Sequence, residues 1–284
     1  MADQGGTSGV RAGPSLTEDS DELARDYERI SVGRQFHTGK RLVQALAIAP
    51  GERVLDVGCG TGLLAEYIAD IVGPAGHVLG IDPLPLRIEL AQAKAREHAR
   101  ANLEFRVGNA NDLSAIPTAS FDVVCLNAVL HWLPDKAGPL REFARVLRPG
   151  GRIGIGGGAK DQNSQVREVM SAALARPRFA VYPRPSGGIV HRVDEGEMRE
   201  LLVAAGFEVK QIDLHDAPHV HASPDAVLRY SEASSFGNLL AHLPLELRPA
   251  ARATIARELA SLAAPDGSIM QEGRRMIAIG IRKA

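Results

Sequence analysis

Short apolar runs alternate with helical patterns through the first half of this 284-residue chain. The runs lie at Arg53–Val57, 77–81, Leu103–Val107, 123–127 and 152–155. Helical patterns lie between them, at Leu63–Val72 and at residues 86–98 for example. Strands that alternate with helices pair in parallel, and the helices cover both faces of the sheet. The pattern therefore predicts an α/β fold on a doubly wound, mostly parallel sheet.

The remaining segments differ from this core in composition and rhythm. Residues 1–18 are rich in glycine and serine and lack an apolar core, so we expect them to be disordered. Residues 19–50, with helical patterns at 19–30 and 36–47, are expected to form an N-terminal helical cap on the 51–156 core. The later part, 157–284, contains predicted strands at 207–214 and 276–282 and two insertions expected to form a lid, 157–193 and 217–270.

Charge and cysteine content narrow the functional class. The 33 basic residues nearly balance the 34 acidic ones, so there is no basic excess to attract nucleic acid. We find no apolar run of membrane-spanning length and no signal peptide, and we expect no membrane span. Only Cys59 and Cys125 are present, which argues against a disulfide framework and favours a cytoplasmic location.

A glycine-rich turn follows the first predicted strand. Gly58, Gly60 and Gly62 lie at every second position, between the strand and the next helix, where ligands of such sheets bind. Asp82 ends the second strand, 24 positions after Gly58, where a carboxylate can accept hydrogen bonds from two ribose hydroxyls. The turn and the acid together predict a nucleoside-binding site.

The spacing of this turn bears on the identity of the nucleoside. A dinucleotide fingerprint places its third glycine where this chain has Leu63. Asp56 lies two residues before the first glycine and would repel a pyrophosphate. An acid at this position suits a ligand with an ammonium group and no phosphate, such as S-adenosylmethionine. An NAD(P)-dependent oxidoreductase stays open as the alternative.

Five segments, taken together, resemble one enzyme family. They are 54–62 (VLDVGCGTG), 80–83 (GIDP), 108–113 (GNANDL), 121–132 (FDVVCLNAVLHW) and 147–151 (LRPGG). In order and spacing they resemble the class I S-adenosylmethionine-dependent methyltransferases, and most of all the small-molecule branch that includes ubiquinone- and menaquinone-biosynthesis enzymes. The resemblance covers about residues 40–160. It implies a Rossmann-like, seven-stranded sheet of order 3-2-1-4-5-7-6 with the last strand antiparallel.

The resemblance also implies cofactor-binding positions. They are Asp56, Gly58, Gly60, Gly62, Asp82, Pro83, Asn109, Ala110, Asn111 and Asn127, joined by Tyr27 and Arg34 from the N-terminal helices. Asp56 would lie near the amino group, Asp82 at the ribose, and Asn127 at the methionine end. Asn109 and Ala110 would reach the adenine edge, although the family usually has aspartate at position 109. Arg34 could pair with the methionine carboxylate.

Methyl transfer from a sulfonium mainly requires alignment with the nucleophile and exclusion of water. A general base is needed only when the nucleophile arrives protonated, and His131, after the fourth strand, is the candidate. The product would be S-adenosylhomocysteine. We expect a small organic acceptor, with oxygen, nitrogen, carbon or sulfur left open as the accepting atom.

Other partners are expected to be absent. Residues 127–130 (NAVL) do not match the N/D-P-P-aromatic motif of nucleic-acid amine methyltransferases, so we expect no nucleic-acid substrate. His215, His219 and His221 match no familiar zinc spacing, and we expect no metal. A catalytically silent S-adenosylmethionine-binding protein is a further alternative, and a homo-oligomer is possible.

Overall fold

A computed structural model describes residues 14–18, 20–160, 164–184 and 189–283. Its strands are β1 Arg53–Val57, β2 His77–Asp82, β3 Leu103–Val107, β4 Phe121–Asn127, β5 Leu147–Gly158, β6 Phe207–Asp216, β7 His219–His221, β8 Ile269–Gln271 and β9 Arg274–Arg282. Its helices are α1 Asp21–Asp26, α2 Val32–Leu46, α3 Leu63–Val72, α4 Pro85–Glu97, α5 Ala137–Val146, α6 Gln165–Leu174, α7 Pro177–Ala180, α8 Glu195–Ala204, α9 Pro224–Ser234 and α10 Arg248–Leu259.

Seven strands form one sheet in the order β3-β2-β1-β4-β5-β9-β6. The first five pair in parallel, whereas β9 is antiparallel to both β5 and β6. This is the predicted 3-2-1-4-5-7-6 order, since β9 is the seventh strand of the sheet. The predicted doubly wound, mostly parallel fold is confirmed.

Both faces of the sheet are covered because neighbouring strand residues point to opposite sides. Val54 and Val78 belong to an apolar cluster with α2, α3 and α4. Leu55 and Leu79 belong to the cluster on the other face, which includes residues of α5 and α8. Continuous apolar runs in the sequence therefore correspond to strands buried on both faces.

Two predictions for the N-terminal part need correction. Residues 14–18 do not belong to a disordered segment, because Leu16–Glu18 form a short 3-10 helix and the Ser15 amide donates to Asn238 Oδ1 at 2.8 Å. Residues 1–13 lie outside the described part. The helices expected at 19–30 and 36–47 are joined, because α1 continues through a π-helical turn at Tyr27–Ser31 into α2.

The two insertions fold against each other. Helices α6, α7, α9 and α10 share a third apolar cluster, in which Val166, Met170, Val227 and Ile255 are buried. Strands β7 and β8 pair in a separate two-stranded sheet beside them. The predicted lid segments therefore contain a small core of their own, next to the carboxyl edge of the main sheet.

Candidate active site

A cavity of about 540 Å³ lies at the carboxyl ends of the parallel strands. Val57, Asp82, Asn127 and Gly158, each at the end of a different strand, contribute to its wall. Helices α6 and α9 from the insertions supply part of the remaining wall. The sheet therefore places its loops and the inserted helices around one cleft, as is common in open α/β folds.

The glycine turn is held against the end of β2. The backbone amides of Gly58 and Cys59 donate to Ile81 O at 2.7 and 3.0 Å, and the Gly60 amide donates to Asp82 Oδ2 at 3.0 Å. Gly58 has φ +69°, and a Cβ there would lie 2.3 Å from Val129 Cγ2. Only glycine fits this close approach, which brings the turn to the cavity wall.

Asp82 lines the cavity together with Pro83 and is only 7% exposed. Its Oδ1 accepts a hydrogen bond from the Leu84 amide at 3.0 Å, while Oδ2 accepts from Gly60. A carboxylate has about four acceptor positions, so it can accept from a ligand as well as from backbone amides. The two amides orient the carboxylate at the predicted ribose position.

Asp56 lies in a second, smaller pocket of about 40 Å³ next to the glycine turn. The side chain is 1% exposed, and its Oδ2 has no hydrogen-bond partner in the described part of the chain. Burial, together with the negative charge of Asp82, raises the pKa of Asp56 to about 8. The carboxyl is therefore poised to ionise when a cation binds beside it.

Other oxygens without a partner surround the same small pocket. Gln35 Oε1, Thr61 Oγ1 and Asn127 Oδ1 are buried and, like Asp56 Oδ2, accept no hydrogen bond from any described residue. The Asn127 amide nitrogen donates to Gln35 O at 2.9 Å, which fixes the side chain that lines this pocket. Four unsatisfied oxygens around one space favour a ligand rich in hydrogen-bond donors.

Gly62, a predicted cofactor-binding position, lines neither the large cavity nor the small pocket. It precedes α3 with φ +90°, and its amide donates to Cys59 O at 3.0 Å. A Cβ at this position would lie 2.6 Å from Phe105 Cζ and 3.0 Å from Ala91. Gly62 is therefore required for packing of the turn against β3 and α4.

The predicted adenine positions line the cavity, but one of their atoms is already used. Asn109 Oδ1 accepts from both the Asn111 amide and Asn111 Nδ2, at 2.9 and 3.0 Å. These two bonds use both lone pairs of the amide oxygen. In this arrangement the Asn109 oxygen is occupied, and Ala110 and the Asn109 side-chain nitrogen remain as the predicted contacts with the adenine edge.

Tyr27 and Arg34 reach the cavity from the helical cap. The Arg87 guanidinium lies 4.2 Å from the Tyr27 ring centre, and burial raises the pKa of Tyr27 to about 12. Arg34 donates from Nη1 to the Tyr230 hydroxyl at 2.9 Å and from Nη2 to Ala217 O at 3.0 Å. The π-helical turn places both side chains on the cavity side of the cap.

His131 lies in a 3-10 turn, Leu130–Trp132, which follows the end of β4, and it lines the cavity. Its ring is 4.8 Å from that of Trp132. Burial and the nearby charges of Arg192, Arg275 and Lys136 hold the pKa of His131 well below its usual range. The imidazole is therefore neutral at physiological pH and is a weak base.

Sequence reasoning missed several cavity residues. The cavity wall also includes Arg192, Arg275, Tyr230 and Phe236. The ring centre of Phe236 lies 4.8 Å from that of Trp132. These wall residues come from an irregular segment, from the start of β9 and from the region of α9, and no local sequence motif identifies them. One feature of the sequence could have pointed to Arg87, which follows Asp82 by five residues, on α4. In the structure Arg87 is 1% exposed.

The histidine cluster forms ring and hydrogen-bond contacts. The ring centres of His219 and His221 lie 4.3 Å apart, and each lies 5.3 Å from the ring centre of Tyr230. His215 pairs with Asp213 at 3.1 Å. Within the described ranges, no group of three potential ligands has the arrangement of a metal site.

No described helix is long and apolar enough to cross a bilayer.

Comparison with known proteins places the chain among methyltransferases. A family model described as a methyltransferase domain matches residues 48–206. The nocamycin O-methyltransferase of Saccharothrix syringae is 30% identical over 255 residues, which cover 86% of this chain and 90% of that protein. The demethylmenaquinone methyltransferase of Lactococcus lactis subsp. lactis is 43% identical over 135 residues, 46% of this chain and 53% of that protein.

A solved structure shares the fold. The SAM dependent methyltransferase from Aquifex aeolicus matches with a TM-score of 0.53 at 21% identity, over 68% of this chain and 91% of the other. Together with the family match, this similarity accounts for the sheet order and for the position of the cavity at its carboxyl edge.

Proposed function

This chain belongs to the S-adenosylmethionine-dependent methyltransferases, and we propose that its cavity binds the cofactor over the turn at Gly58 and Gly60 and methylates a small organic acceptor. The bound cofactor supplies an electrophilic methyl group on a sulfonium. The alternative of an NAD(P)-dependent oxidoreductase is not supported.

The observation that carries this proposal is the set of unpartnered oxygens beside the glycine turn. Asp56 and Asn127, with Gln35 and Thr61, present four buried oxygens to one small pocket. An ammonium group has three donors and a positive charge, so it satisfies such a set. A pyrophosphate has no donors, and it would be repelled by Asp82 and by the ionised form of Asp56. The donor-poor pocket therefore fits the amino end of S-adenosylmethionine.

The remaining cofactor contacts follow from the cavity wall. Asp82 would hold the ribose hydroxyls, with its carboxylate already oriented by Gly60 and Leu84. Ala110 and Asn111 would border the adenine, and Pro83 would pack beside it. Arg34 keeps free donor capacity beyond its bonds to Tyr230 and Ala217, since a guanidinium has five N–H groups, and would reach the carboxylate.

The acceptor would lie between the glycine turn and the inserted helices. Trp132, Phe236, Met170 and Leu239 give this part of the wall an apolar surface. The names of two relatives, a nocamycin O-methyltransferase and a demethylmenaquinone methyltransferase, also refer to small organic molecules. His131 borders the same space, so its neutral ring would help to orient the acceptor.

Binding of the product analogue tests the proposed cofactor. We expect S-adenosylhomocysteine to raise the thermal midpoint of the protein, and NADH to leave it unchanged. Asp82→Ala should weaken S-adenosylhomocysteine binding by about 1–3 kcal/mol, as for a lost charge-assisted hydrogen bond. Stabilisation by NADH, or unchanged affinity of the variant by calorimetry, would refute the assignment. Tight cofactor binding with no acceptor methylated across a metabolite panel would favour the silent binding protein.

The cellular context stays a prediction. Both cysteines are free and buried, which supports the proposed cytoplasmic location. The absence of a nucleic-acid substrate and the possible homo-oligomer also remain to be tested. Gel filtration with light scattering would give the mass of the assembly.

A further inference from the structure

The cavity concentrates positive charge in a chain that is close to neutral overall. Its wall includes the arginines Arg34, Arg87, Arg167, Arg192, Arg274 and Arg275. The carboxylates among its described lining residues are Asp82 and Glu272. Asp82 already accepts two backbone amides, and Glu272 is exposed. With 33 basic and 34 acidic residues in the chain, this excess is local.

Arg192 and Arg275 differ from most arginines of this protein in their partners. Arg192 Nε and Arg275 Nη2 are buried and have no hydrogen-bond acceptor among the described residues. By contrast, Arg152 binds both oxygens of Glu52, at 2.9 and 2.7 Å. Unsatisfied buried donors on a charged group are costly, and a bound anion would satisfy them.

The two arginines also share an environment. Arg192 lies over the end of β5, where a Cβ on Gly158 would be 2.9 Å from its Nε. Burial, and then the charge of Arg167 and Arg275, lowers the pKa of Arg192 to about 10. Burial lowers the pKa of Arg275 to about 10 as well. Both guanidinium groups stay charged at neutral pH, and an anion between them would reduce their repulsion.

His131 adds a chemical reason for an acceptor that arrives ionised. Burial first, and then the charges of Arg192, Arg275 and Lys136, lower the pKa of its imidazole, which is therefore a weak base. Removal of a proton from an alcohol or phenol by such a base would be inefficient, because a general base works best with a pKa near the operating pH. A carboxylate arrives ionised: one of its oxygens would bond to the methyl carbon as the carbon–sulfur bond breaks, which gives a methyl ester and neutral S-adenosylhomocysteine, so no proton has to be removed.

On the premise of the proposed function, we infer that the methyl acceptor is a small organic acid whose carboxylate is bound by Arg192 and Arg275. The planar guanidinium fork matches the two oxygens of a carboxylate. The neighbouring rings of Trp132 and Phe236, whose planes are tilted by 52°, would contact its apolar body. The acceptor therefore combines an acidic group with an aromatic or alkyl part.

Matched pairs of probes test this inference. The full-length protein, saturated with S-adenosylhomocysteine, is titrated by calorimetry with benzoate, 1-naphthoate and 9-anthroate, and with the neutral amide of each. We expect at least one acid to bind about 10- to 100-fold more tightly than its amide, the range for hydrogen bonds to a charged group. Amides that bind as well as the acids, or the absence of binding by every acid, would overturn the inference.

Variants identify the residues responsible. Arg192→Gln and Arg275→Gln should each remove the preference for the acid, whereas Arg192→Lys should keep part of it. Arg199→Gln makes the same charge change on exposed α8, where Arg199 pairs with Glu195, and should keep the full preference. Circular dichroism confirms folding of each variant. A preference for acids that survives both glutamine variants contradicts the assignment.

Affinity for S-adenosylhomocysteine separates the two proposals. If the parent protein does not bind it, the proposed cofactor site is wrong. If the parent binds it but the two glutamine variants lose that affinity, Arg192 and Arg275 hold the cofactor carboxylate, and the inferred acid site is wrong. Retained cofactor affinity with a lost acid preference supports the inference.

Discussion

Asp56 links cofactor binding to pH. Its pKa of about 8 in the free protein means that the carboxyl is mostly protonated at neutral pH. A ligand ammonium favours the ionised form, so binding should release a proton. We expect the affinity for S-adenosylhomocysteine to rise between about pH 6 and 8, by at most about tenfold per pH unit. Calorimetry in buffers of different ionisation enthalpy measures the released proton.

Asp56→Asn is the control for this coupling. The variant should bind S-adenosylhomocysteine more weakly and without proton release over the same range. The free energy of unfolding gives a second check. Because the folded pKa lies above the unfolded value, Asp56 costs stability progressively as pH rises from about 4 to 8, and the variant should lack this loss. Proton release that persists in Asp56→Asn would contradict the assignment.

Gly58 allows a separate test of space and backbone strain. Gly51 and Gly58 both have positive φ, +85° and +69°, but a Cβ at Gly51 meets nothing within 4 Å. Gly51→Ala should lower the free energy of unfolding by about 1–2 kcal/mol through strain alone. Gly58→Ala should cost more, because Val129 must also move, and it should impair cofactor binding. Denaturant unfolding measures both, and equal costs would exclude the steric effect.

Helix α8, which does not line the cavity, begins at a capping motif that is encoded in neighbouring residues. Asp194 Oδ1 accepts from the Glu197 amide at 2.9 Å, and the Glu197 side chain accepts from the Asp194 amide at 2.9 Å. This capping box satisfies two amides of the first turn. Asp194→Ala should therefore lower the free energy of unfolding by about 0.5–2 kcal/mol, as measured in denaturant, without changing cofactor affinity.

Ser164 is the matched control for the cap. It occupies the same position before α6, but its side chain makes no capping bond, and its hydroxyl is buried without a partner in the described structure. Ser164→Ala should leave the free energy of unfolding nearly unchanged. Equal losses in the two variants would mean that the capping bonds do not account for the effect at α8.

The whole molecule is coupled through its cavity, because the main sheet and the inserted helices line it together. A ligand that binds only the folded state should stabilise both parts. At a free concentration 100 times its Kd, S-adenosylhomocysteine should raise the free energy of unfolding by about 2.7 kcal/mol. Denaturant titrations with and without ligand measure this difference. Asp82→Ala should need a higher ligand concentration for the same gain, and an unchanged midpoint in the parent would oppose cofactor binding.

Much of the architecture was predictable from contiguous residues. The strand–helix alternation predicted the parallel sheet, and the spaced motifs predicted its order and the methyltransferase family. The sequence also indicated Gly58, Gly60 and Asp82, which line the cavity. Such positions can be predicted because neighbouring residues determine a turn and the end of a strand. Their chemistry follows from local backbone geometry, which distant parts of the chain change little.

The tertiary structure decided which side chains meet. It places Gly62 against Phe105 and brings Arg192 and Arg275 to one cavity. No short pattern in the sequence encodes these contacts. They arise because segments that are distant along the chain pack together, and packing alone sets the distances between their side chains.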